Sequence, residues 1–143
     1  MSDSLTLLGN SQTRWPQSPD EAKLETFPNR SPQNRYWVHL DFPEFSSLCP
    51  VTGQPDTARL QIRYIPDEVC VETKSLKFYL TSFRNTASFN EEIVNRVLAD
   101  LIAALKPKKL VVRGDFSPRG GISLTAQASY PESEWVGLSI DES

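Results

Sequence analysis

The chain has 143 residues, and its 15 Lys and Arg against 18 Asp and Glu give a formal net charge of −3. A hydrophobic share of 38% with 23% charged residues is typical of one folded domain and excludes a disordered or fibrous chain. The net negative charge excludes a protein held to nucleic acid by bulk positive charge. The longest apolar run, Leu101 to Leu105, is too short to cross a membrane. We therefore expect a cytoplasmic protein with free thiols at Cys49 and Cys70.

The first 34 residues differ from the rest of the chain in composition. Residues 1–34 are rich in Pro and polar residues and hold no sustained apolar period. We predict an extended N-terminal arm there, with Trp15 and Leu24 contacting the body. Residues 35–143 are predicted to form a single domain with a loose C-terminal tail.

Strand-like and helix-like patterns alternate after the arm. Apolar residues at helical spacing from Ile93 to Leu105 predict a helix that Lys106-Pro107 ends, with Ser88 as N-cap and Glu91 in capping-box position. The other predicted segments are a strand over 36–41, a long loop over 42–56, an alternating strand over 57–65, an extended piece over 69–72, a helix over 75–83, and strands over 109–116 and 121–130. This ββααββ order predicts an α+β fold, with an antiparallel sheet and two helices on one face.

Cys49 is the most suggestive residue for chemistry. It lies in a Pro- and Gly-rich loop rather than on an apolar face, and Asp56 follows at the end of that loop. Loop closure would bring a thiol beside a carboxyl group, which is a nucleophile with a proton-transfer partner. The alternative is that Cys49 is a small buried residue that fills a gap in the packing.

The other candidate residues allow both functional and structural interpretations. Cys70, between two valines, and His39, in a strand, are more simply structural, and no ligand spacing supports a zinc site. Four basic residues are candidates for binding a phosphate, or else form a solvated basic face: Lys74, Lys77, Arg84 and Arg119. Glu91 either caps its helix or accepts hydrogen bonds from a guanine-like edge.

Five short strings in chain order carry a resemblance to a known family: PEFSSLCPVTGQPD, ETKSLKFYL, SFRN, FNEE and PRGG. Together they resemble the short, single-module type of the NADPH-dependent 7-cyano-7-deazaguanine reductases. These enzymes act in the biosynthesis of queuosine, a modified nucleoside of tRNA. The resemblance implies the tunnelling fold, in which subunits form a β-barrel ring with active sites between neighbouring subunits. It therefore implies a homo-oligomer that acts on a small molecule without direct contact with nucleic acid or membrane.

The resemblance also implies the role of each site residue. Cys49 would form a covalent thioimide with the nitrile, Asp56 would donate a proton, and NADPH would reduce the adduct to the aminomethyl product. The implied substrate contacts are Val71, Glu72, Thr73, Asn90 and Glu91. The implied cofactor contacts are Lys74, Ser75, Lys77 and Arg119.

The chain departs from this family at two positions. The family usually has His-Glu where this chain has Asn90-Glu91, and an asparagine cannot donate a proton by titrating near neutral pH. Thr57 replaces an aromatic residue that usually follows the aspartate. An alternative is therefore a non-catalytic module of the same fold that binds a purine-like or pterin-like ligand. A sibling zinc enzyme and redox sensing by the two cysteines are weaker alternatives.

Overall fold

Six strands and two α-helices make up residues 15–132, the part of the chain that the computed structural model describes. In chain order they are β1 (Thr26–Pro28), β2 (Val38–Leu48), β3 (Pro55–Ile65), β4 (Val69–Val71), α1 (Thr73–Thr81), α2 (Asn90–Leu105), β5 (Lys109–Arg119) and β6 (Ile122–Tyr130). A short 3-10 helix (Ser82–Asn85) follows α1. The predicted C-terminal tail lies outside the described residues.

The main sheet is antiparallel, with the strand order β2-β3-β5-β6. One face of the central strands is apolar and packs under the two helices, because their side chains alternate between the core and the far face. The far face carries polar pairs such as Arg59 with Asp41. The predicted α+β layers with both helices on one face are therefore confirmed.

The predicted long loop over 42–56 is wrong, because β2 continues to Leu48 and β3 already begins at Pro55. The pairing of β2 with β3 shifts register between Phe42 and Phe45. Pro43 lies in this irregularity, where the lack of a backbone N–H is tolerated. The prolines that indicated a loop thus mark a bulge and a strand end.

The two helices begin at other residues than predicted. α1 starts at Thr73 rather than 75, because the Glu72 carboxylate accepts hydrogen bonds from the backbone N–H groups of Lys74 and Ser75. α2 starts at Asn90, and Glu92 rather than Glu91 accepts the backbone N–H of Phe89 at 3.0 Å. The predicted capping role of Glu91 is therefore wrong by one residue, and its carboxylate is not used in the cap.

The N-terminal arm contacts the body in the described part, residues 15–34. The Trp15 ring lies 4.3 Å from that of Phe78, and Arg84 donates to the Pro16 carbonyl at 2.9 Å. β1, within the predicted arm, pairs with β4 in a second small sheet. Neither α1 nor α2 is long and apolar enough to cross a bilayer, a finding that holds for residues 15–132.

Gly114 permits the close approach of α2 to the sheet. A Cβ atom there would lie 2.8 Å from a ring carbon of Phe116 and 3.0 Å from a methyl group of Val94. We expect Gly114→Ala to lower the free energy of unfolding by about 1–3 kcal/mol through overpacking. Urea denaturation would measure this loss against the wild-type protein. An unchanged unfolding midpoint for Gly114→Ala would contradict the packing argument.

Candidate active site

A closed loop over residues 49–54 joins β2 to β3 and presents Cys49. The Cys49 N–H donates to the Gln54 carbonyl at 2.8 Å, and the Gly53 N–H donates to the Cys49 carbonyl at 2.8 Å. Gly53 has φ of 73°, a left-handed conformation that glycine adopts at little cost. These bonds fix the direction of Cys49, whose side chain is half-buried.

The Cys49 thiol has a pKa below its usual value. The main cause is hydrogen bonding to the Thr52 hydroxyl, followed by the backbone N–H groups of Thr52 and Val51, all of which favour the thiolate. The positive charge of Arg119 adds to this effect. A larger share of Cys49 is therefore thiolate at neutral pH than for an ordinary cysteine, which makes it a better nucleophile.

Arg119 connects the cysteine loop to Asp56. Its Nη1 lies 2.5 Å from Oδ1 of Asp56, and its Nη2 lies 2.5 Å from Oε1 of Gln54 and 3.5 Å from Oγ1 of Thr52. The Asp56 side chain is buried, with 8% exposure, and this ion pair raises the pKa of Arg119. The structure thus brings Cys49, Asp56 and Arg119 together.

Asn90 and Glu91 lie at the same end of the molecule as Cys49. The residue before the cysteine, Leu48, exchanges backbone hydrogen bonds with Thr86 and Ser88, which lead directly into α2. Asn90 is the first residue of α2, and its Oδ1 is buried without a hydrogen-bond partner among residues 15–132. Glu91 is exposed. The exposed carboxylate of Glu91 is therefore open to a ligand with N–H donors, and the unsatisfied acceptor of Asn90 lies next to it in the chain.

Ser47 is a second buried polar residue beside the cysteine. It pairs directly with Asp56 across the β2–β3 hairpin, so the two side chains share a face of the sheet. Its Oγ is fully buried and has no partner within the described chain.

Val71, Glu72 and Thr73 lie around a different cleft. This cleft, of about 360 Å³, is also lined by Val38 and Tyr64 at the other end of the β2–β3 hairpin. The Val71 N–H donates to the Tyr64 hydroxyl at 3.0 Å, and Glu72 is held by its capping bonds.

The three predicted cofactor residues of α1 have different surroundings. Lys74 and Lys77 place their ammonium groups 6.0 Å and 5.7 Å from the ring centres of Phe78 and Trp15. Ser75 is fully buried; its hydroxyl accepts from the Glu25 N–H at 2.9 Å and donates to the Glu72 carbonyl at 2.7 Å. As placed, Ser75 connects the arm to the start of α1, and its role toward a cofactor stays a prediction.

Two separate groups of predicted site residues thus exist within one chain. Tyr64 is eight positions after Asp56 in β3, which at about 3.3 Å per position places the two residues about 26 Å apart. Cys49, Asp56, Asn90, Glu91 and Arg119 lie at the first end, and we call them the cysteine group. Val71, Glu72 and Thr73 line the cleft with Tyr64 at the second end, Lys74 and Lys77 follow them on α1, and we call these five residues the cleft group.

The remaining candidates lie apart from the cysteine group. Cys70 is buried, as predicted, with its Sγ 3.7 Å from the Tyr36 hydroxyl, and His39 is exposed. Arg84 contacts the backbone of the arm. Within residues 15–132, no group of three or more His, Cys, Asp or Glu could hold a metal ion.

Sequence reasoning missed Thr52, Gln54 and Ser47. Thr52 and Gln54 are polar residues of a turn, and nothing in their spacing distinguishes them from solvated loop residues. Ser47 could have been found if β2 had been extended to Leu48, since it then falls opposite Asp56.

Comparison with known proteins bears on the family and the fold. A family model described as QueF-like protein matches residues 55–135. A crystal structure of an archaeosine synthase QueF-Like in the apo form superposes with a TM-score of 0.63 over 67% of this chain and 94% of that one, at 23% identity. This likeness shows the fold, and it confirms the predicted tunnelling fold.

Curated relatives are considerably closer in sequence. The NADPH-dependent 7-cyano-7-deazaguanine reductase of Bacteroides thetaiotaomicron is 51% identical over 130 residues, which cover 91% of this chain and 85% of that enzyme. The protein of the same name from Neisseria meningitidis serogroup C is 52% identical over 126 residues, covering 88% and 80%. Since the family model spans more than half of the chain and these enzymes align with most of it, the chain belongs to the QueF-like family of 7-cyano-7-deazaguanine reductases.

Proposed function

We propose that this protein reduces the nitrile of 7-cyano-7-deazaguanine to an aminomethyl group with NADPH, through a covalent thioimide on Cys49. The observation that carries the proposal is the Cys49 thiol of lowered pKa, held in a closed loop beside the Asp56–Arg119 pair. The close relatives carry the name of this activity. The proposed role in tRNA queuosine biosynthesis follows from the same reaction, and the cytoplasmic location stays a prediction.

The first step is addition of the Cys49 thiolate to the nitrile carbon. The new C–S bond forms as one C–N π bond breaks, and the electron pair moves to nitrogen, which takes a proton from Asp56. A nitrile is a poor hydride acceptor, whereas the resulting thioimide is imine-like. A thiolate suits this step because it both attacks and leaves well at neutral pH.

Two molecules of NADPH, bound in turn, would each supply one hydride to this carbon. The Cys49 sulfur leaves as a thiolate after the first reduction, and the resulting imine takes the second hydride. The reduction consumes two protons besides the two hydrides, and Asp56, which Arg119 joins to the cysteine loop, is the acid proposed to pass them to nitrogen.

Asn90 and Glu91 are proposed to recognise the base. The exposed Glu91 carboxylate can accept two charge-assisted hydrogen bonds from a guanine-like N–H edge. The orphaned Oδ1 of Asn90 fits a further N–H donor. Asn90 cannot supply a proton by titration as the family histidine can, so the proposed proton source is Asp56.

The chemistry of the cleft group fits a cofactor with phosphates. Lys74 and Lys77 carry ammonium groups three residues apart on α1, and Lys77 is exposed. Ammonium groups bind phosphates as point charges. These two lysines are the residues proposed to hold NADPH.

We propose further that the working site forms between two copies of the chain. A single bicyclic base cannot reach from Asp56 to the cleft at Tyr64, about 26 Å away along β3. A neighbouring subunit would place its cleft group against the cysteine group of the first. The sheet supports such an assembly, because β2 and β6 are its outer strands and can each accept a further strand.

Mixing two inactive variants tests the shared site. Cys49→Ala removes the nucleophile, and Thr73→Trp fills the cleft with an indole at an exposed position. If subunits are exchanged, about a quarter of the sites in an equimolar mixture combine two intact groups, so the mixture should recover about a quarter of wild-type NADPH oxidation. A matched mixture of Cys49→Ala with Cys49→Ser should stay inactive. Absence of recovery after confirmed subunit exchange would contradict the shared site.

The reaction itself is tested with the wild-type protein and the nitrile. Intact mass should increase by the mass of the substrate when NADPH is absent, and absorbance at 340 nm should fall only when both nitrile and NADPH are present. Binding of the nitrile without NADPH consumption would identify the non-catalytic module instead.

A further inference from the structure

We propose that Arg119 is a positioning residue of this active site, which holds Asp56 and the cysteine loop in their reactive arrangement, and is not a ligand of the cofactor phosphates. This inference deepens the proposed function and rests on it. It differs from the sequence-based prediction, which assigned Arg119 to NADPH.

Both terminal nitrogens of Arg119 already have hydrogen-bond acceptors within the protein. Its two terminal nitrogens are directed to Asp56 and Gln54 at 2.5 Å each, and Nη2 also reaches Thr52. The planar guanidinium thereby joins the start of β3 to two residues of the loop that carries Cys49. A phosphate at Arg119 would have to displace these acceptors.

A bulge in β5 sets the direction of the Arg119 side chain. The pairing with β6 shifts by one residue between Phe116 and Arg119. Because side chains alternate between faces, this shift moves residue 119 onto the face that Phe116 and Asp56 share. Gly120 and Gly121, with φ of 59° and 85°, turn the chain immediately afterwards. The bulge therefore directs Arg119 toward Asp56.

Asp56, the ion-pair partner of Arg119, is buried. The Asp56 side chain is 8% exposed, whereas that of Arg119 is 36% exposed. A buried carboxyl group requires hydrogen-bond partners to offset its loss of contact with water and to fix its orientation. Arg119 supplies such a bond to Oδ1 of Asp56, and the same guanidinium favours the Cys49 thiolate.

Three measurements on Arg119→Gln separate positioning from cofactor binding. The first is the pH dependence of Cys49 alkylation by iodoacetamide in the free protein, read by peptide mass. The second is the rate of adduct formation with the nitrile in the absence of NADPH. The third is the dissociation constant of NADPH from a direct binding titration.

We expect the alkylation profile of Arg119→Gln to move to higher pH, because loss of a positive charge disfavours the thiolate. The alkylation rate at pH 7 should fall about threefold. Arg119 is the charged group whose field acts on the Cys49 thiol, Asp56 is the ion-pair partner of Arg119, and the substitution changes only the first of these two groups. Adduct formation should slow by about 10- to 100-fold through misplacement of the reacting groups, with NADPH affinity within about twofold of wild type.

Arg119→Lys separates charge from geometry. It keeps the positive charge but not the planar fork, so the alkylation profile should return toward wild type while adduct formation stays slow. Arg59→Gln is the matched control, since it breaks an exposed arginine–aspartate pair with Asp41 on the far face of the sheet and should leave all three measurements unchanged. If Arg119→Gln fails to fold, Gln54→Leu removes one contact of Arg119 and should slow adduct formation several-fold.

A variant Arg119→Gln that binds NADPH tenfold more weakly and forms the adduct at the wild-type rate would overturn the proposal. If the wild-type protein forms no adduct, the proposed function fails. The alkylation profiles and NADPH affinities of the variants still decide the role of Arg119 in that case.

Discussion

Cys49→Ala should form no covalent adduct with 7-cyano-7-deazaguanine and should lose NADPH oxidation by at least about a thousandfold. The reason is that Cys49 is the one thiol among the five residues of the cysteine group, and its pKa is lowered. Without the thioimide, hydride transfer must attack an unactivated nitrile. Intact-protein mass after incubation with the nitrile measures the first effect, and absorbance at 340 nm measures the second.

Cys70→Ala is the control for this result. Cys70 is buried at the Tyr64 end of the molecule, so this variant should still gain the full mass of the substrate. Retention of the adduct in Cys49→Ala, or its loss in Cys70→Ala alone, would remove Cys49 from the proposed mechanism.

Asp56→Asn should reduce turnover by about 10²- to 10⁴-fold, the range that general acid catalysis contributes. The substitution keeps the shape of the side chain but leaves an amide, which cannot take up and pass on a proton. It also replaces the carboxylate partner of Arg119 by a neutral group. We expect adduct formation to slow as well, because the nitrogen needs a proton when the thiolate adds.

Steady-state NADPH oxidation and single-turnover adduct formation measure these two effects. The control is Asp115→Asn, which disturbs a similar pair with Arg113 on the far face of the sheet and should leave turnover unchanged. Wild-type turnover in Asp56→Asn would show that the proton comes from another group.

Much of the fold was predictable because its signals are local. The alternation over 57–65 and the helical period from Ile93 to Leu105 each depend on which face is apolar, and both elements are present. The limits of the elements were less predictable. Pro43 is compatible with either a loop or a bulge, and the structure shows a bulge. Glu72 was not predicted as the N-cap of α1; the structure shows that its carboxylate accepts hydrogen bonds from two backbone N–H groups.

The residues of the candidate site were likewise predictable only where they lie close together along the chain. Loop composition and the family resemblance pointed to Cys49 and Asp56, because these residues lie close together along the chain. Arg119 is 63 residues from Asp56, so no short-range pattern reports their contact. A basic residue in a turn is compatible with a phosphate ligand, a solvated charge or an ion pair, and only the contacts distinguish these roles.

The amino-acid sequence by itself determined the ββααββ order of the main elements, the position of the cysteine between two strands and the family, since all three depend on residue types at short spacing, whereas β1 in the arm was not predicted. Only the tertiary structure decided that the bulge in β5 turns Arg119 onto Asp56, and that Val71–Thr73 lies far from Cys49 within one chain. The physical reason is that strand register and side-chain direction arise from pairing between distant segments, which local patterns do not encode.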